Sequence, residues 1–161
     1  MSTLYSIEES LERAAIAVLE AETDLADCRI APADDSDEET LPQITVRAEK
    51  LDEVVRGMQT WNCRLTITLT TAADETPEDE RNARRLPDPD DDDEGADGFK
   101  SLWKTLCDLV DADQFVTDLN AEDIVKVWGL EFDAVSYENQ NRTFSRSLNA
   151  RLWCNEAYPA S

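Results

Sequence analysis

Two alternating segments near the C-terminus constrain this chain more than anything else in it. Residues 124–132 read Ile-Val-Lys-Val-Trp-Gly-Leu-Glu-Phe, and after a short polar turn Arg142–Cys154 resumes the pattern. In the second segment Phe144, Leu148, Ala150, Leu152 and Cys154 share one parity, against Thr143, Ser145, Ser147, Asn149 and Arg151 on the other. Arg146 is the one polar residue on the apolar parity. A period of two sends successive side chains to opposite faces, so both segments predict half-buried antiparallel strands that make a sheet edge available.

The same alternation recurs at Trp61, Cys63, Leu65, Ile67 and Leu69, with Asn62, Arg64, Thr66, Thr68 and Thr70 between them. Threonine's branched Cβ favours extended backbone there. Gln43–Ala48 begins the sheet, residues 51–56 fit either a strand or one helical turn, and residues 57–60 predict a turn. Ser6-Ile7-Glu8-Glu9 has capping-box spacing, and Ile7, Leu11, Ala14, Val18, Ala21 and Leu25 follow at helical intervals. That predicts an amphipathic helix of roughly five turns. Phe99, Leu102, Trp103, Leu106, Leu109 and Val110 predict a second, with Asp97 suited to its start. Residues 33–40 read as an acidic surface loop and 113–123 as a connector.

Residues 72–97 break the composition. Thr76-Pro77 suits a short helix start, and Pro87 to Gly95 is nearly all acid. Asp88, Asp90, Asp91, Asp92, Asp93 and Glu94 repel one another, so the stretch is expected to be a mobile acidic insert. It is not a calcium loop of the EF-hand type. Counted from Asp88, the glycine position holds Asp93 and the closing glutamate position holds Phe99. Neither flank holds a complete core, so residues 1–161 are expected to form one domain.

The 37 Asp and Glu against 15 Lys and Arg give a formal charge of -22. Such a surface repels phosphates at long range, which disfavours nucleic acid and anionic membranes as partners. Histidine is absent, which removes His-based triads, His metal ligation and the usual near-neutral proton shuttle. Four glycines leave little material for phosphate-cradling turns. Cys28, Cys63, Cys107 and Cys154 lack zinc-type spacing; two disulfides could form among them, but three of the four sit in apolar patterns, so buried free thiols are expected. No cofactor or metal is expected, and no enzymatic activity. The N-terminus carries neither a basic region nor a long apolar run, so synthesis in a cytoplasm without membrane insertion is expected.

Trp61 and Trp103 read as core residues, whereas Trp128 and Trp153 fall on strands where aromatics anchor interfaces. Arg142, Arg146 and Arg151 gather in one strand of an acidic chain. They could pair with the acidic loops of a neighbouring copy or with local carboxylates. Asn141-Arg142-Thr143 matches a glycosylation sequon by chance.

The Trp61–Leu69 strand, the Phe99–Val110 helix and the Arg142–Cys154 strand, behind an N-terminal amphipathic helix, resemble the tail-terminator or tail-completion proteins of tailed bacteriophages. The resemblance is one of layout over most of the chain, and the insert at 72–97 departs from it. It implies an α+β fold, an antiparallel or mixed sheet of four to five strands with two main helices packed on one face. It further implies a structural virion protein, made in the host cytoplasm, that caps the tail tube as a homo-oligomeric, commonly hexameric, ring. The implied partners are the tube protein and a head-side neck or connector protein, with DNA only as passing cargo. A second reading is an acidic DNA mimic that inhibits a DNA-processing enzyme, although a mimic needs acids spaced along an ordered face.

Overall fold

Ser6 opens the first helix, its Oγ accepting the Glu9 N–H at 3.2 Å, with Glu8 and Glu9 at the helix's positive end. In the computed structural model, which describes residues 6–26, 28–35, 42–54, 60–72, 95–111, 113–122, 124–140 and 143–156, the chain is α+β. Helix α1 (Ile7–Glu20) and a 3-10 turn (Thr23–Leu25) precede β1 (Arg29–Pro32) and a second 3-10 turn (Ala33–Asp35). Strands β2 (Gln43–Glu53) and β3 (Trp61–Ala72) form a hairpin. Helices α2 (Gly95–Asp111) and α3 (Asp113–Ala121) lead to β4 (Val125–Gln140) and β5 (Thr143–Glu156). The five-stranded sheet is ordered β1-β2-β3-β5-β4, parallel at β1–β2 and antiparallel elsewhere.

The apolar parity of β2, β3 and β5 goes into one core. Ile44 and Val46, Leu65, Ile67 and Leu69, and Leu148, Ala150 and Leu152 cluster with Leu11 and Leu19 of α1, Trp103 and Leu106 of α2, and Phe115 and Leu119 of α3. Burying each large side chain contributes about 1.5–3 kcal/mol. The alternate parity of the central β3–β5 seam is a ladder of polar pairs. Thr66 Oγ1 donates to Asn149 Oδ1 at 3.0 Å, Thr68 meets Ser147 at 2.7 Å and Thr70 meets Ser145 at 2.9 Å. Hydroxyls suit this face because each finds its partner directly across the strand.

Four expectations change. Helix α1 stops at Glu20, about four turns rather than five; the chain tightens into the 3-10 turn that still buries Leu25. The connector is in part a helix, α3, because Phe115 and Leu119 are one turn apart and both bury against the core. Strand β1, with Pro32 at its end, adds a parallel edge that its short, proline-containing sequence does not advertise. Strand β4 runs on to Gln140 rather than ending at Phe132. Its register shifts between Val127 and Gly129 and again between Phe132 and Ala134. Val125, Val127, Leu130, Phe132, Val135 and Tyr137 therefore stand at intervals of two, three, two, three and two. Each three is a bulge, and the bulges hide a strand from a strict period-two reading. The Thr76-Pro77 start and the 72–97 insert beyond Ala72 and before Gly95 lie outside the described residues, as do Gly57, Met58 and Gln59 of the expected turn. The β2–β3 hairpin is closed by the Val54 N–H on the Thr60 carbonyl at 2.7 Å.

Candidate assembly surface

One end of the sheet gathers the end of β2, the start of β3, the end of β5 and the start of β4, because those strands run alternately up and down. Leu51 (38% exposed), Val54 (45%) and Trp128 (61%), the large apolar side chains exposed among the described residues, all lie at that end. Trp61 and Trp153 lie at the same end on β3 and β5, each half-buried but on opposite faces: Trp61 shares the inward parity of Cys63 and packs against the core, and Trp153 shares the outward parity of Arg151. At about 4.8 Å per strand the group spans on the order of 14 Å across the sheet.

Trp128 is the bulged residue of β4, skipped in the pairing with β5. The bulge turns its ring out from the alternation, and two neighbours fix it. Its Nε1–H donates to Asn155 Oδ1 at 2.6 Å, and Lys126 Nζ lies 4.2 Å from the ring centroid. Next to it, Gly129 faces Trp153 across the strand pair. A Cβ at Gly129 would come within 3.1 Å of Trp153 Cε3, so glycine lets that indole lie against the β4 backbone. At the other side Lys50 Nζ lies 4.3 Å from the Trp61 ring centroid. In a chain of charge -22, this end therefore sets two indoles beside lysine ammoniums, and tryptophan is among the residues most enriched at interface hot spots.

The last turn of α3 fixes where β4 starts. The Val127 N–H donates to Asn120 Oδ1 at 2.6 Å, and Asn120 Nδ2 donates to the Val127 carbonyl at 3.0 Å. An amide side chain thus takes the place of a neighbouring strand at one residue of β4. Beyond it, β4 is the outer strand of the sheet, paired among the described residues only with β5.

The expected interface residues separate. Trp128 is 61% exposed, Trp153 is half-buried beside it, and Arg151 is exposed opposite Glu131 in the register. Arg146 is a correction. It is 2% exposed, with its guanidinium carbon 5.6 Å from the ring centroid of Trp103, itself buried on α2. Residues 146 and 151 differ in parity, so one strand cannot offer both to the same neighbour. The cation goes inward and rests on an indole face, a contact worth about 2 kcal/mol when desolvated. Arg142 and the acidic run Asp88–Glu94 lie outside the described residues. Asn120, Lys50 and Lys126 were missed; the first was hidden in the supposed connector, although Lys126 sits two residues before Trp128.

Elsewhere, an acidic cleft of about 420 Å³ lies among Glu22, Asp24, Lys104, Asp108, Gln114 and Asp118. Its polar groups largely satisfy one another: Lys104 Nζ meets Asp108 Oδ2 at 2.8 Å, and Gln114 Nε2 donates to Asp118 Oδ1 at 2.9 Å. Among the described residues no cluster of three His, Cys, Asp or Glu could hold a metal ion, and no helix is long and apolar enough to cross a membrane. Compared with models of known protein families and with characterised proteins, the chain matches none.

Proposed function

We propose that this chain is a structural protein of a tailed phage, a tail terminator that assembles into a ring on the tail tube and docks it to the head-side neck. The observation that carries the reading is the outer strand β4, sixteen residues long, with Trp128 61% exposed at its start. A long outer strand leaves a row of backbone donors and acceptors for a neighbour, and an exposed indole beside it supplies an apolar anchor. The layout supports the same reading: an α+β chain with a five-stranded sheet and a helix pair between its two hairpins. In this role no bond is made or broken. A ring halts tube growth by offering tube-like contacts on one face and different contacts on the other. The acidic surface suits a channel wall, since like charge lets DNA pass without adhering.

The test is light scattering at near-physiological salt, followed by addition of the cognate tube protein and electron microscopy. Closed rings of about six copies, or tubes capped and limited in length, support the reading. Uncapped tubes with a chain that stays monomeric and inhibits a DNA-processing enzyme would overturn it in favour of acidic mimicry.

A further inference from the structure

Cys63 on β3 and Cys154 on β5 are both fully buried, and their Sγ atoms lie 3.5 Å apart. The two strands are adjacent at the centre of the sheet. Cys63 pairs in register with Leu152 and Cys154 with Trp61, so the thiols are diagonal neighbours. A lone buried cysteine is ordinary packing, but this is two thiols in contact on separate elements. We propose that Cys63 and Cys154 form a reversible dithiol–disulfide pair, closed by a small neutral two-electron oxidant such as hydrogen peroxide and reopened by a thiol reductant. The sulfurs need to approach from 3.5 Å to about 2.05 Å.

The two thiols have different parts. The Cys154 S–H donates to Cys63 Sγ, which holds Cys63 below the usual thiol range despite its burial. The same hydrogen bond, with burial, pushes Cys154 up. As the acceptor of that S–H, Cys63 Sγ is the sulfur the geometry leaves able to attack first. Its thiolate attacks one oxygen of the peroxide; the O–O bond breaks, hydroxide leaves, and Cys63 becomes a sulfenic acid. The Cys154 sulfur then attacks Cys63 Sγ, and the sulfenic oxygen departs as water with the Cys154 proton. Both protein thiols are oxidised, each losing one electron, and one peroxide is reduced to two waters. Access comes by fraying, since Cys63 is two residues from the start of β3 and Cys154 two from the end of β5, at one end of the sheet. The bond would close a loop across 91 positions of chain, containing α2, α3 and β4, and so restrain the unfolded chain.

The experiment uses the full chain, treated with hydrogen peroxide under native conditions, and reads free thiols, peptide cross-links and the melting midpoint. Free thiols should fall from four to two, a Cys63–Cys154 peptide should appear, the midpoint should rise, and dithiothreitol should restore all four. A Cys28→Ser/Cys107→Ser variant keeps the pair and should lose both of its thiols. In Cys154→Ser the cross-link should vanish and Cys63 should react with a sulfenic-acid trap. Should that core substitution unfold the chain, the double variant still decides. Four surviving thiols in the folded protein, a cross-link through Cys28 or Cys107, or Cys63 oxidised with no bridge would each overturn the pair.

Discussion

Strands β1 and β4 close the two sides of one sheet, yet β1 has four residues and β4 sixteen. The β1 side is blunted. Pro32 ends it, a 3-10 turn follows at once, and Arg29 is tied down by Asp35, through an ion pair at 3.2 Å and a bond to its carbonyl at 2.6 Å. Past Val46, where β1 stops, the Ala48 N–H of β2 is taken by the Glu12 carboxylate of α1 at 3.0 Å. On the β4 side, among the described residues, Val127 is covered in this manner, by Asn120. Edge strands invite pairing, and proteins that stay monomeric blunt them. One side of this sheet has been closed with proline, a helix carboxylate and a short strand; the other, among the described residues, is a long strand paired only with β5 and carrying an exposed tryptophan.

The largest expected effect tests which strand is interior. If β5 is a buried spine and β4 the outer strand, Arg146→Glu places an anion against Trp103 and should cost about 3–5 kcal/mol in denaturant unfolding. A folded, fully stable variant would break the contrast and return Arg146 to the surface. Next comes Trp128→Ala, expected to leave stability within about 0.5 kcal/mol. In the assembly proposed above it should weaken self-association about 30-fold, or 2 kcal/mol, by sedimentation or light scattering. Unchanged association would remove this end of the sheet from the interface. Asn120→Ala should cost about 1–2 kcal/mol, since two backbone groups of Val127 lose their partner; hydrogen exchange at Val127 should rise before that of the β3–β5 seam.

The smallest effect concerns the blunted side. Burial raises the Glu12 carboxyl above its ordinary value of 4.5, with the Ala48 hydrogen bond working against it. A raised carboxyl favours the folded state while protonated, so that stabilisation is full below the unfolded value and is lost as pH rises through the folded one. Glu12→Gln keeps an acceptor for Ala48 without titrating. The stability of the natural chain relative to this variant should therefore fall as pH rises from below 4.5 to neutrality, by an amount discounted for Glu12's exposure. Urea unfolding at both ends of that range checks the sign, and a gap that widens in the opposite direction would refute it.

Much of this contrast was legible before folding was considered. Period two gave the inner parity of β3 and β5, and Arg146 already stood on it as the one polar residue. Its placement inside follows from parity; what it rests on does not, because Trp103 lies 43 positions earlier on another element. The second half of β4 was obscured by its two bulges, which advance the apolar pattern by three and break the alternation. Helix α3 was obscured by brevity, since among its described residues Phe115 and Leu119 are the fully buried positions to read.

By itself the sequence determined which face of β3 and β5 goes inward, where α1 begins and that no histidine chemistry is available, because these depend on local periodicity, capping and residue identity. Only the tertiary structure decided that β3 and β5 lie side by side, which is what brings Cys63 to Cys154, and that β4 is outermost with Trp128 beside it. The reason is physical: strand pairing is a choice among partners of similar pattern, settled by how the whole chain closes its core, and no short stretch of residues carries that choice.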